Sequence, residues 1–458
     1  MSKNSLVYFL LCILFQLLLE VNCQMMPFKP GAISGHTATL IDNKLYILGG
    51  IDAKRNFILK DFFYLDVSVT FNTQNLLWQD LSNIDMVPSH HLATSVKGGA
   101  NNDTLFLYGG DSSNKTTALV YTFDPQSITW VTPNIAGVNT IRKFELTGVN
   151  HDGKMYLFSG ITYGVVTLTF VDDMLILDTI NLSWGKGSLV NAPTPRGDYG
   201  VALLPNKNII YIGGIVTTVV YDPKTLNIVQ GDASTLSEVY LYDTINDNWS
   251  TKATSGRIPS NRAAFSTVLG LDGQRIIIFG GEFINPGYLD TTLYVLDLTN
   301  FTWYVPKISG KIPNPRIRHQ ANVIGKYMVI SFGFGYDNTI ESDILLLDIS
   351  NNEEYVWTTT FDPTVPNNIS SSLLPPSSSP SPSSSSSPTS NAPAAVIAGA
   401  TVGSLFGVIL LSFGGFLLYK RNKNKQKQKD IIQIHGNEGG YNNYNHGQEL
   451  TTNHEPII

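Results

Sequence analysis

The sequence predicts an all-β chain built from a repeated four-stranded unit, and three observations point there. All six tryptophans, Trp78, Trp130, Trp184, Trp249, Trp303 and Trp357, stand in one register, separated by 52, 54, 65, 54 and 54 residues. A near-constant period of this size marks a repeated supersecondary unit rather than one irregular core. Upstream of each Trp an apolar run ends in a Gly-Gly or a variant of it: Gly49-Gly50, Gly109-Gly110, Ser159-Gly160, Gly213-Gly214, Gly280-Gly281 and Gly333-Phe334-Gly335. Between glycines and Trp a second apolar run ends in Asp66, Asp124, Asp178, Asp243, Asp297 or Asp348, and in four repeats (Asp124, Asp178, Asp243, Asp297) that Asp lies six residues before the Trp.

Each repeat reads as strands a to d. Strand a is the His-Thr-Ala-Thr-Leu run from His36, strand b is Leu45 to Leu48, strand c is Phe62 to Leu65, and strand d begins at the Trp. The runs are short, β-branched or aromatic, and bounded by Gly, Asn, Asp and Pro. Asp-Gly at 152–153 and 272–273 falls between strands a and b, a strong hairpin signal. Gly-Gly after strand b suits a backbone that turns with positive φ where neighbours approach closely. The constant Asp-to-Trp offset describes a short c–d turn.

With an Arg-x-x-aromatic opening before strand a, this pattern resembles the kelch repeat. Arg316-Ile-Arg-His319 matches its Arg-x-x-His outright; Arg196-x-x-Tyr199 and Arg262-x-x-Phe265 carry another ring. The resemblance covers roughly residues 31 to 362. Departures are Ser159 in a glycine position, Phe334 between the last glycines, and the missing Arg of the first two repeats. Kelch repeats are propeller blades, four-stranded sheets set radially around a channel, so the resemblance implies a six-bladed kelch-type β-propeller over residues 24–362.

The ends of the chain predict its compartment. Residues 1–23 hold Lys3, an apolar stretch from Leu6 to Leu19 and Val21-Asn22-Cys23, the pattern of a secretory signal peptide. Residues 394–419 carry no charge and are long enough to cross a bilayer. Lys420, Arg421, Lys423, Lys425, Lys427 and Lys429 follow, which places the tail (420–458) in the cytoplasm and the propeller outside. The expectation is a single-pass type I protein of the plasma membrane or a secretory-pathway membrane. Residues 363–393, rich in Ser and Pro, read as an extended stalk. Gly399, Gly403 and Gly407 share one face of the span and suit a homodimer contact. Both cysteines, Cys12 and Cys23, lie in the signal segment, so the expected mature chain has neither a disulfide nor a thiolate metal site. A net charge of −6 argues against a nucleic-acid partner.

Sequons at Asn102, Asn114, Asn181, Asn248, Asn300 and Asn368 all fall between signal segment and span, as a glycoprotein requires. In a four-stranded blade the a–b and c–d turns share one face, the b–c and d–a connections the other. Asn102, Asn181, Asn248 and Asn300 belong to the first face; of the blade sequons only Asn114 belongs to the second. The barer face is the expected surface for an extracellular protein or glycan ligand. Its longest loop, Ile215 to about Ser237, accounts for the 65-residue interval and offers Thr217, Thr218, Tyr221, Asp222, Lys224 and Asp232. The competing reading of that loop is a small extra strand and turn at Val219-Val220-Tyr221-Asp222-Pro223.

Aligned near strand a in every repeat is a ring: His36, His91, Phe144, Tyr199, Phe265 and His319. Because Phe serves there too, packing is preferred over metal ligation. Arg142, Arg196, Arg262 and Arg316 are read as ties between neighbouring units. An extracellular enzyme on the same scaffold is the alternative function. Galactose-oxidase-like copper enzymes carry kelch-type propellers, but their radical cofactor joins a tyrosine to a cysteine, which the mature chain lacks. No catalytic set, metal site or cofactor is expected.

Overall fold

The computed structural model describes residues 27–52, 57–112, 118–138, 141–164, 167–286, 293–336, 339 and 343–364. The signal segment, Asn114, Asn368, nearly all of the stalk, the span with Gly399, Gly403 and Gly407, and the tail lie outside the described residues. Among the described residues no helix is long and apolar enough to cross a membrane.

All regular structure in the described residues is β. The four strands of repeat 1 are Thr37–Ile41, Lys44–Leu48, Phe62–Asp66 and Trp78–Asp80, hydrogen-bonded in that order as one antiparallel sheet. The same a-b-c-d order recurs in the other five Trp-bearing repeats. Strand b is buried on both faces (Leu45, Tyr46, Ile47 and Leu48 in repeat 1), which is why it reads as a continuous apolar run rather than an alternating one. In repeats 5 and 6 a short linker strand, Ser255–Gly256 or Ile308–Gly310, adds in parallel beyond strand d.

The c–d turns follow the expected chemistry. Each terminal Asp of strand c accepts the amide two residues on: Ser68 to Asp66, Gln126 to Asp124, Ile180 to Asp178, Ile245 to Asp243, Thr299 to Asp297 and Ser350 to Asp348. A carboxylate that accepts its own downstream N–H builds the turn without help from the fold. Asp152-Gly153, both at positive φ, makes the two-residue hairpin expected of it. Asp272-Gly273 does not: strand a ends at Leu269, strand b starts at Arg275, and Gly273 donates to Gly270 inside a longer turn.

Apolar faces of neighbouring sheets pack on one another. Tyr46, Phe62, Phe123 and Trp130 join sheets 1 and 2; Val268, Phe279, Leu347 and Trp357 join sheets 5 and 6; Phe63, Trp78, Val329 and Phe332 join sheet 6 back to sheet 1. The a strands neighbour one another in chain order, and that of repeat 6, Gln320–Ile324, lies beside that of repeat 1.

Two circuits of backbone hydrogen bonds run through the sheets. In the first, the second glycine of each pair donates to the next repeat: Gly50 to His90, Gly110 to Lys143, Gly160 to Arg196, Gly214 to Arg262, Gly281 to Arg316 and Gly333 to Ile33. The first glycine lies against the same carbonyls; a Cβ on Gly213 would stand 2.7 Å from the Arg262 oxygen. This circuit corrects the reading of the last pair. Phe332 and Gly333, at φ 49° and 110°, occupy the two positions, and Phe334 does not split them. Phe332 is tolerated because its ring leaves the junction and packs on His36, Phe63 and Trp78 of repeat 1. Ser159 is tolerated because its hydroxyl accepts the Arg196 amide at 2.8 Å.

The second circuit is axial. Gly35 donates to Arg318, Leu92 to Gly35, Glu145 to Leu92, Asp198 to Glu145, Ala264 to Asp198 and Arg318 to Ala264, at 2.8–3.1 Å. Every member has a left-handed φ between 51° and 63°. Finally, Thr360–Phe361 pairs with Phe71–Asn72 in the c–d connection of repeat 1, and Phe361 stacks on Phe71 with centroids 4.6 Å apart.

Candidate functional site

The axial circuit delivers one residue per repeat to a common centre, and three of the six are charged. Arg318 Nη2 lies 3.4 Å from Glu145 Oε1 and 3.8 Å from Asp198 Oδ2. A third carboxylate, Glu282, comes from the residue after Gly281, where it pairs with Ala263 beside the axis. Glu282 is fully buried, and neither of its oxygens has a hydrogen-bond partner among the described residues. Asp198 Oδ2 is likewise without a hydrogen bond. The ring residues line a narrow cavity of about 50 Å³, room for a few waters. Arg318 lines that cavity and exposes a quarter of its side chain.

Burial governs the electrostatics. It pushes the Glu145 carboxyl up to about 8, aided by the Asp198 charge and opposed by Arg318. It pushes Glu282 up to about 7 against the pull of Arg318, and raises Asp198 as well. For Arg318, burial pulls down, but Asp198, Glu145 and Glu282 together hold the guanidinium above its usual value. Three carboxyl groups thus face one permanent cation, and burial favours their protonated forms.

The long fourth-repeat loop reaches this centre. Its Val220–Tyr221 and Ile228–Gln230 segments form a two-stranded ladder, the small extra strand and turn that was the competing reading. Leu226 is fully buried against Ala264 and Ile317, and its carbonyl accepts the Phe283 amide. Tyr221 packs edge-on to Phe334 and lies within the electrostatic reach of Arg318, Glu282 and Asp198. Of the six loop candidates, only Tyr221 joins the axial groups. Asp222 is consumed by its turn, accepting from the Lys224 amide and the Thr225 hydroxyl. Thr217 accepts the Asp232 amide, and Thr217, Thr218, Lys224 and Asp232 are exposed.

The aligned rings need a correction. His36, Tyr199, Phe265 and His319 do follow the axial residue, but His91 and Phe144 precede it, so Ala93 and Leu146 are their true counterparts. All six rings are buried. His36 and His319 hydrogen-bond Ser331 and Ser266 at 2.9 and 2.8 Å, and burial lowers both imidazoles, that of His36 to about 3. They are neutral packing groups. Among the described residues no three His, Cys, Asp or Glu side chains are grouped to hold a metal.

Three of the four arginines bond inside a repeat, and only Arg142 ties neighbouring repeats as expected. Arg196, Arg262 and Arg316 donate to the carbonyls of Gly213, Gly280 and Phe332, each in its own sheet. Arg142 instead reaches Gly109 and Ala118 of repeat 2. The third-repeat counterpart of the other three is Lys143, fully buried, whose Nζ meets Asp173 Oδ1 at 2.6 Å. Asn102, Asn181, Asn248 and Asn300 are exposed in or beside a–b and c–d turns, as expected.

Sequence reasoning missed the axial set, although a signal exists. Asp198, Ala264 and Arg318 are each the third residue of an Arg-x-x-aromatic motif. That position carries a charge at Asp198 and Arg318 and a small apolar side chain at Ala264.

The comparisons agree with this architecture. The family description KLHDC2/KLHL20/DRC7 Kelch-repeats domain matches residues 35–230 and 217–375. Kelch domain-containing protein 3 of Bos taurus is 24% identical over 336 residues, covering 69% of this chain and 84% of that protein. Acyl-CoA-binding domain-containing protein 5 of Arabidopsis thaliana is 26% identical over 244 residues, covering 50% of this chain and 34% of that protein, so the chain spans about a third of that relative's length. The solved structure titled "Structure of YjhT" superposes with a TM-score of 0.54 at 14% identity, covering 73% of this chain and 99% of that one. From the glycine circuit to the Trp register, the chain belongs to the kelch-repeat family.

Proposed function

We propose that this chain is a six-bladed kelch propeller that binds an extracellular protein or glycan through its b–c/d–a loop face. In this reading it is carried on the outside of a secretory-route membrane by the 394–419 span, with the glycines of that span available for pairing. The two backbone circuits, each closing through six repeats, support the blade count. The observation that carries the binding surface is the inequality of the two faces. The four described sequons all fall on the turn face. Both faces expose apolar side chains, Phe57, Tyr163, Leu168, Val220, Val229 and Tyr336 on the loop face and Ile128, Ile180 and Ile245 on the turn face, so the sequons are what tell the two apart. Apolar groups held on short hairpins over a rigid scaffold are the usual material of a recognition surface.

A binding screen of glycans and secreted proteins against cells displaying the full chain tests this. Ligands found should lose binding when Val229→Asp and Tyr163→Ala are combined and keep it when Ile245→Asp alters the opposite face. Loss through the turn-face change alone would overturn the assignment.

A further inference from the structure

We propose that the cleft between repeats 2 and 3 on the loop face is a subsite for a neutral pyranose sugar, read by the ring of Tyr163 and the carboxylates of Asp111 and Asp172. The proposal deepens the loop-face reading and rests on it. Its starting point is where the aromatic rings surface. Among the described residues three rings are exposed, those of Phe57, Tyr163 and Tyr336, and each stands on a b–c connection of the loop face. The exposed apolar groups of the turn face, Ile128, Ile180 and Ile245, are aliphatic. A flat π-face carries negative charge density and takes the C–H face of a sugar ring, which a branched aliphatic tip does not match.

Tyr163 is the most exposed of the three rings, at 54%, and it is held at two points. Its ring packs on Phe144 with centroids 5.2 Å apart, and its hydroxyl meets the Asp111 carboxylate of repeat 2. The ring is therefore presented in a set orientation, and little side-chain freedom is left to lose on binding. Tyr163 borders a cleft of about 590 Å³, which Asp111, Ile141, Arg142, Phe170 and Asp172 also line. That volume falls within the range of about 300–1,000 Å³ usual for small-ligand sites. Phe170 and Tyr163 share one face of the ladder that pairs Ile161–Tyr163 with Leu168–Phe170.

The polar lining selects the ligand class. Arg142, the cation of the cleft, donates to the carbonyls of Gly109, Gly110 and Ala118. A carboxylate has acceptor sites beyond the one Tyr163 uses, so Asp111 can take a further donor, and the exposed Asp172 adds a second acceptor group. A fitting ligand brings several donors on its edge and a flat apolar face, which is the make-up of a pyranose with its ring hydroxyls and axial C–H groups. An extended peptide brings one backbone donor per residue and no such face. A uronate or a sialic acid would set its own carboxylate against Asp111 and Asp172, a like-charge contact that costs affinity.

Calorimetry and saturation-transfer NMR on the purified full chain test the site, with cellotriose, maltotriose and mannotriose as probes. At least one should bind, with the strongest transfer at the C–H protons of one ring face. Tyr163→Ala should weaken that binding at least tenfold, and Tyr163→Phe, which keeps the ring, should stay within about threefold of the parent. Asp172→Asn should weaken it about tenfold through loss of a charged acceptor. Melting curves check that each variant is folded, and Ile245→Asp on the opposite face should leave binding unchanged. The proposal is overturned if none of the three probes binds, if sialyllactose or trilysine binds more tightly, if Tyr163→Ala has no effect, or if Ile245→Asp is as damaging. Should the probes fail while a screened protein ligand still responds to Val229→Asp with Tyr163→Ala, the sugar subsite falls and the loop-face reading stands.

Discussion

Replacing Glu282 by Gln removes a carboxylate that is fully buried with both oxygens unpaired, and the result should be a more stable protein at alkaline pH. The sign follows from proton binding. Burial raises this group from 4.5 to about 7, so the folded state holds the proton more tightly than the unfolded chain. Its ionisation therefore leaves stability unchanged well below pH 4.5, erodes it between pH 4.5 and 7, and levels off above. At 1.36 kcal/mol per tenfold change in proton affinity, the full penalty is about 3 kcal/mol. Gln keeps the shape and cannot ionise, so it escapes that penalty. Unfolding entropy of about 2.1 cal/mol/K per residue, taken over the roughly 310 described residues, converts the difference to a rise in Tm of about 5 °C. Thermal melts of both proteins at pH 5, 6, 7 and 8 measure it. The two curves should draw together at pH 5 and separate by pH 8, with the variant above. Parallel curves, or a wild type more stable at pH 8, would refute the claim that Glu282 is an uncompensated buried charge.

Three other perturbations probe the frame around that centre. Gly213→Ala puts a Cβ 2.7 Å from the Arg262 carbonyl at φ +59°, and should cost about 1–3 kcal/mol in urea denaturation. Lys143→Met leaves Asp173 without its buried partner and should cost about 3–5 kcal/mol at pH 7. Because Asp173 then ionises against burial with only Lys186 to favour its charge, the loss should shrink as pH falls, and the double variant Lys143→Met, Asp173→Leu should recover most of it. Phe361→Ala removes a ring stacked on Phe71 and 5.1 Å from Tyr327, and should cost about 3–5 kcal/mol with faster proteolysis at the Phe71 turn.

The parts of the fold legible in the sequence are those encoded locally. Asp178 and Trp184 declare their turn because the carboxylate captures amides two and three residues on, inside one repeat. Strand b was legible because burial on both faces leaves an uninterrupted apolar run. The glycine position was harder: Phe332 hides it, since its left-handed backbone is sustained by rings of repeat 1, far away in sequence. The ring alignment slipped at His91 and Phe144 because aromatic residues stand on either side of the axial position and only the hydrogen-bond circuit tells them apart. The axial charges were illegible as a group. Arg318 meets Glu145 across 173 residues of chain, and nothing in either repeat marks the partner. The loop at 215–237 was found by its extra length, yet most of its polar residues serve its own turn, while apolar Leu226 seats it.

Circular closure has a consequence for how the chain is made. Gly333 bonds Ile33, Arg318 receives Gly35, and Phe361 completes the connection at Phe71, so one flank of repeat 1 has no neighbour until repeat 6 exists. At a synthesis rate of about 5–20 residues per second, the first sheet waits roughly 15–60 s for its last partner. During that interval the flank of sheet 1 that will meet sheet 6, with Phe63 and Trp78, is open to any other apolar surface. The nascent chain therefore spends its synthesis as an unclosed arc, and its hazard is association with a second arc at the seam between first and last repeats. Substitutions at that seam should be felt in yield from the cell sooner than in the stability of molecules that have already closed.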